Sequence, residues 1–229
     1  MASDNKQAMG IGYKAQIEKY GTPISGDLYL ELRKYADEHR IRITGFRNFV
    51  GDIETIKTVI DDICEIAVDF PKILDKRMGI ILELDYDMND ADFSTTDSGH
   101  VIKINAGYFS DIDKLEQDYI EQEKKGHFVS NTGWRSVVRH EVGHVVENLY
   151  GFDIMEIAFI YANTTNRIEL FDYLDENLSV YSTAYEDGRE IISESFSGYY
   201  SKVGNIFADS FVKKCIELKD KMDLSMKGR

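Results

Sequence analysis

Proline and cysteine are scarce in this chain of 229 residues, with two of each. So little proline, and no long Gly/Ser, proline or glutamine tract, excludes a disordered linker of the usual compositions. Cys64 and Cys215 stand 151 positions apart, each within an apolar helical pattern. They read as buried thiols rather than a disulfide, which suits a reducing compartment. No run of 18 apolar residues occurs, so no segment is expected to span a membrane. The opening stretch MASDNKQAMGIGYK lacks the apolar centre of a secretory signal. Cations are short too: 27 Lys and Arg against 41 Asp and Glu leave a formal charge of −14. Nucleic acid and anionic membrane surfaces both require clustered cations, so neither is an expected partner.

What the chain does have is 43 % hydrophobic and 12 % aromatic residues, sufficient for a sizeable core. Its length suits one domain with a subdomain. The first 20 residues are polar and weakly patterned, a loose arm. From Asp27 to about His39, Leu28, Leu32, Tyr35 and Ala36 follow helical spacing. Ile53, Ile56, Ile60, Ile63 and Ala67 form a clearer stripe that stops before Pro71. The period then shortens, and GIILELDY and HVIKINA read as strands. A polar helix over 111–125 precedes NTGWRSVVRHEVGHVVENLYG, with Asn131 or Thr132 as candidate N-cap and Gly151 as the stop. Further helices are expected near 153–162, 166–177, 187–200 and 203–222. The plan is α+β, with a helical part over 21–75, a boundary near 72–78 and the main domain over 76–229. The acidic stretch DYDMNDADFSTTD lacks the Gly and terminal Glu offsets of a calcium loop.

One segment demands explanation. VRHEVGHVVEN repeats valine as a buried helix does, yet carries His140, Glu141 and His144. Four positions apart on a helix, the two histidines share a face and can reach one zinc ion, Zn2+. Glu141, one position round, can address a metal-bound water as general base without ligating the metal. The alternative is two surface histidines beside a solvated Glu. Val138, Val142, Val145 and Leu149 mark a packed side, however, and polar residues flanking it need partners that a metal would supply.

The third ligand is less local. The metzincin pattern needs Gly at 147 and His at 150, where this chain has Glu147 and Tyr150. Glu169, 25 residues beyond His144, is a weak candidate. In SVYSTAYEDGREIISESFSGYY, Glu190 and Glu194 share one helical face while Ile192, Phe196 and Tyr199 make an apolar one. Glu190 is favoured as ligand, with Glu194 orienting a ligating imidazole from behind; the reverse assignment stays open. The competing readings are a capping box with Asp187 for Glu190 and a solvated face for Glu194.

HEVGH followed by SVY…REIISESF resembles the zincin-fold peptidases of the anthrax lethal factor type and the secreted Pro-Pro endopeptidases. Similar pairings occur in zincin domains associated with phage head-morphogenesis proteins, to which FVGDIETIKTVID and TGWRSVVRHEVGHVVE look alike. In those families a helix with an E-x-x-x-E pattern follows H-E-x-x-H at a gap like the 46 residues between His144 and Glu190 here. The resemblance covers about residues 100–200 and implies a zincin-like fold: a small mixed sheet, an active-site helix and a mostly helical C-terminal part. It implies a zinc endopeptidase of the gluzincin type acting on a peptide or protein. His140, His144 and Glu190 would be its ligands and Glu141 its base. It further implies an oxyanion-steadying tyrosine in an S-x-Y sequence, which Tyr181 matches at an unusual nine residues before Glu190, with Tyr185 as the alternative.

An edge strand running along the cleft is expected from HVIKINA, and His100 and His127 are lesser site candidates. Rival readings are a non-catalytic phage or prophage module that retains the fold, and a repressor-cleaving regulatory protease. The expected location is cytoplasmic or virion-associated.

Overall fold

The computed structural model describes residues 21–88, 93–95 and 99–227. The arm expected over 1–20 and much of the acidic stretch 85–97 lie outside the described residues. In chain order the elements are α1 (Gly26–Glu38), β1 (Arg42–Thr44), α2 (Ile53–Asp69), β2 (Ile81–Asp85), β3 (Phe93–Thr95), β4 (Val101–Asn105), α3 (Ala106–Phe109) and α4 (Ile112–Lys124). Then follow α5 (Arg135–Tyr150), α6 (Ile154–Ala162), α7 (Arg167–Asn177), α8 (Arg189–Tyr200) and α9 (Ile206–Lys227). The protein is thus a mostly helical α+β structure with a small sheet. No helix among the described residues is long and apolar enough to cross a membrane.

Local chemistry sets most helix ends. Ser25, Asp52, Asp111, Asp153 and Asn166 each cap a helix by accepting a backbone N–H with their side chains. Gly151 closes α5 in the left-handed conformation at φ 63°. The start of α5 differs from the sequence expectation, because neither Asn131 nor Thr132 caps it. The helix begins after Trp134 with no side-chain cap. Instead Glu123 on α4 accepts the N–H groups of Asn131, Thr132 and Gly133, and Glu116 accepts that of Trp134. The free amides ahead of the helix are satisfied from a neighbouring helix, an arrangement that local sequence cannot report.

The strands lie in the order β1-β2-β4-β3, with β1, β2 and β4 parallel and β3 antiparallel. Leu82, Leu84, Ile102 and Ile104 face the core. On the opposite face Lys103 donates to Asp85 at 2.8 Å. β4, expected at the sheet edge, is interior: β3 pairs with it through Phe93↔Ile104 and Thr95↔Ile102. The three-residue β3 escapes periodicity analysis because so short a segment completes barely one alternation. β1 is equally short, and by pairing with β2 it brings the N-terminal helices onto the sheet. One hydrophobic core runs from Leu32 on α1 to Cys215 on α9. Around the expected boundary at 72–78, Ile73 and Ile80 are buried in this core while residues 75–78 between them are exposed.

At the centre is α8, in which every residue but Arg189 and Tyr199 is buried. A helix carrying three serines and a glycine can sit there because small side chains permit close approach on several sides at once. Its main neighbour is α5, and the two helices meet at Gly143.

Candidate metal centre

α5 is held in place by valines: Val138, Val142, Val145 and Val146 are fully buried, while Leu149, expected among them, is only half-buried. This packing turns His140, Glu141 and His144 toward α8. A Cβ built on Gly143 would lie 2.8 Å from the Cα of Ser193, so glycine is needed for the approach of the two helices. That approach brings the ligand-bearing turns together. His140 Nε2 lies 3.0 Å and His144 Nε2 3.3 Å from the same oxygen, Glu190 Oε2.

Glu190 is 4 % exposed, and this oxygen makes no hydrogen bond of acceptable angle despite the two close nitrogens. Two imidazole nitrogens and a carboxylate oxygen converging without hydrogen-bond geometry is what a shared cation requires. Ligand atoms at the corners of a zinc tetrahedron with bonds of about 2.0–2.2 Å stand roughly 3.3–3.5 Å apart, close to the spacings seen. His140, His144 and Glu190 therefore form a group that could hold a metal ion.

Electrostatics agree. Burial lowers the pKa of His140, but the carboxylates of Glu190 and Glu194 outweigh it and raise the value to about 10. Burial likewise opposes protonation of His144, and Glu147 and Glu190 reverse it. Burial raises the pKa of Glu190, while the two histidines draw it down to about 2. The pocket thus favours positive charge where the ligand atoms meet, and a dication supplies it with both rings neutral, as ligation demands.

Behind His140, Glu194 is fully buried and accepts from Nδ1 at 2.9 Å. Its other oxygen accepts the Ser179 hydroxyl at 2.7 Å and the Val129 N–H at 3.2 Å. Glu190 therefore takes the position suited to a ligand and Glu194 the supporting one. The capping-box alternative for Glu190 fails, since Gly188 is the N-cap of α8 and Asp187 pairs with Arg189. Glu169 accepts from the Thr164 hydroxyl and is not a member of the cluster.

Glu141 is 8 % exposed, and its charge is felt by His140, His144 and Tyr181. Tyr181 lies in a 3-10 turn, Val180–Thr183, with its ring 5.7 Å from that of His140. Burial first, then the charges of Glu190, Tyr185, Glu141 and Glu194, raise its pKa, so the hydroxyl keeps its proton. Tyr185 is 48 % exposed, with the Arg189 guanidinium 5.1 Å from its ring centre. His127 packs on Tyr181 at 5.2 Å, one ring removed from the ligands, and His100 precedes β4 outside the cluster.

Sequence reasoning missed Gly143 and Ser179. Gly143 did carry a signal, because a glycine within a helix costs about 1 kcal/mol relative to alanine and so implies a packing reason. Ser179 entered only as the first residue of the S-x-Y sequence, and its contact was not readable because its partner lies 15 residues away on another element. Comparison of the chain with family models, curated proteins and solved structures found no match in any of the three.

Proposed function

We propose that the chain is a zinc-dependent endopeptidase with a zincin-like fold, hydrolysing a peptide or protein substrate. The observation that carries the reading is the meeting of His140, His144 and Glu190, with Glu141 one position round the same helix. Among the described residues three ligands gather, not four. Structural zinc sites are closed by four protein ligands, whereas catalytic ones keep a position open, so the donor count favours catalysis over the structural-module alternative. The donor set of two imidazoles and a carboxylate suits zinc.

Bound zinc would lower the pKa of a water to about 7 and polarise the scissile carbonyl. Glu141 accepts the proton that leaves the attacking water and delivers it to the departing amine nitrogen, so that water is added across the C–N bond. Tyr181, kept protonated, donates a hydrogen bond to the oxygen that gains charge. Glu194 fixes the tautomer of His140 by taking its Nδ1 proton in a hydrogen bond. With β4 interior, extended substrate would add along β3, which closes the sheet on the side of α5. The association with phage proteins rests on the resemblance of the motifs alone.

The test is elemental analysis of the purified protein together with a peptide-library screen. About one zinc per chain is expected. Glu141→Ala should keep that zinc and lose cleavage, and a variant that still cleaves at the parent rate would remove Glu141 from the reaction.

A further inference from the structure

The sequence SVY at 179–181 serves two parts of the site through a single hydroxyl. Ser179 is 2 % exposed, and its Oγ donates to Glu194 Oε2 at 2.7 Å. The same oxygen accepts the N–H of Ser182 at 3.2 Å and so caps the turn that carries Tyr181. The Ser182 hydroxyl reinforces that turn by donating to the Ser179 carbonyl at 2.6 Å.

A second segment is locked to the first. Val180 and Tyr181 donate their N–H groups to the carbonyls of Gly126 and His127, each at 3.0 Å. Three residues further along that segment, the N–H of Val129 reaches the same Glu194 oxygen as Ser179. Glu194 is thus held from both segments on one oxygen and holds His140 with the other.

We propose that Ser179 is a positioning residue joining the two halves of the site: it orients Glu194, and through it His140, while capping the turn that presents Tyr181. This inference rests on the zinc-peptidase reading. Its physical basis is that a carboxylate buried without its donors must rotate toward others or take up a proton, and either change releases the imidazole it steadied. Because one atom serves both partners, Ser179 cannot be replaced by a residue that satisfies only the turn.

The experiment measures zinc affinity of the full chain by chelator competition, with folding followed by circular dichroism. Loss of a supporting hydrogen bond of this kind lowers metal affinity by about 10–100-fold, the effect expected for Ser179→Ala. Ser182→Ala, which cuts the turn's second hydroxyl bond and leaves Glu194 untouched, should stay within about twofold of the parent. In a Glu194→Gln background, Ser179→Ala should add little, since the two act as one unit. Should Ser179→Ala not fold, Ser179→Cys, a weaker donor of similar shape, carries the same comparison.

Parent-like affinity in the Ser179 variant, an equal loss in Ser182→Ala, or fully additive effects with Glu194→Gln would each overturn the inference. Peptide cleavage by the parent chain is scored separately. A parent that binds zinc tightly but cleaves nothing sinks the peptidase reading, while the affinity series still decides the role of Ser179. A parent that takes up no zinc overturns both.

Discussion

Gly143→Ala is the smallest perturbation that should separate the two helices of the site. The added methyl would stand 2.8 Å from Ser193 Cα and 3.3 Å from Ser193 N, both of them main-chain atoms that no rotamer change can move. Carbon atoms pack at roughly 3.5–4.0 Å, so α8 must retreat by about 0.7 Å or more at this point. Overpacking of this size costs about 1–3 kcal/mol, and the better helix propensity of alanine returns about 1. The net loss of stability, on the order of 0–2 kcal/mol, lowers Tm by a few degrees in a chain of this size.

The effect on metal should be larger than the effect on folding. Ser193 is three residues from Glu190, and Gly143 lies between His140 and His144, so the strain falls on the ligand-bearing turns. Metal–ligand distances tolerate only about ±0.2 Å, and a retreat of about 0.7 Å carries Glu190 beyond that range. Zinc affinity should fall at least about tenfold, or 1.4 kcal/mol, as read by chelator competition and by a smaller rise of Tm on adding zinc. Ser193→Gly should not restore it, because the nearest obstacle is a backbone carbon. A Gly143→Ala chain with parental zinc affinity and Tm would refute the claim that this contact sets the ligand spacing.

Two further outcomes follow from packing away from the ligands. Asp62 on α2 is buried and accepts from Arg135 at 2.6 and 3.0 Å and from Arg139 at 2.8 Å, while Arg139 also donates to Ser201 beyond α8. Asp62→Ala removes the hydrogen-bonded carboxylate of the buried Arg139, leaving only Glu65 at 3.9 Å as an acidic partner, and should cost about 3–5 kcal/mol in urea unfolding, whereas a loss below about 1 kcal/mol would show the pair to be dispensable. Burial, with the charge of Asp61 behind it, pushes the Cys64 thiol up to about 11, and burial pushes Cys215 up to about 12. An ordinary thiol is about a quarter ionised at pH 8, so in the native chain alkylation should be slower than after unfolding by on the order of a hundredfold at Cys64 and a thousandfold at Cys215. Native labelling at the unfolded rate would contradict their placement.

The sequence by itself determined the features whose physics is local. The isoleucine stripe of α2, the valine repeat of α5, Gly151 and the side-chain caps lie within one or two turns of what they control. So do His140 and His144, whose common face follows from helical periodicity alone, and Glu141 one position round from them. The two interior strands were readable because β-branched residues run together there, and the pairing of β3 and β1 was not, each having only three residues.

Tertiary structure decided everything that required two distant segments to meet. It separated Glu190 from Glu194, which lie on one helical face and differ only in which side of His140 each reaches. It set the Tyr181 ring beside that of His140, moved β4 from the edge to the interior, and replaced the expected cap of α5 with carboxylates from α4. It also gave Gly143 and Ser179 their meaning. A glycine inside a helix and a serine before a turn are unremarkable along the chain; they matter because α8 passes within contact of both, and close approach between elements is a property of packing that local sequence does not encode.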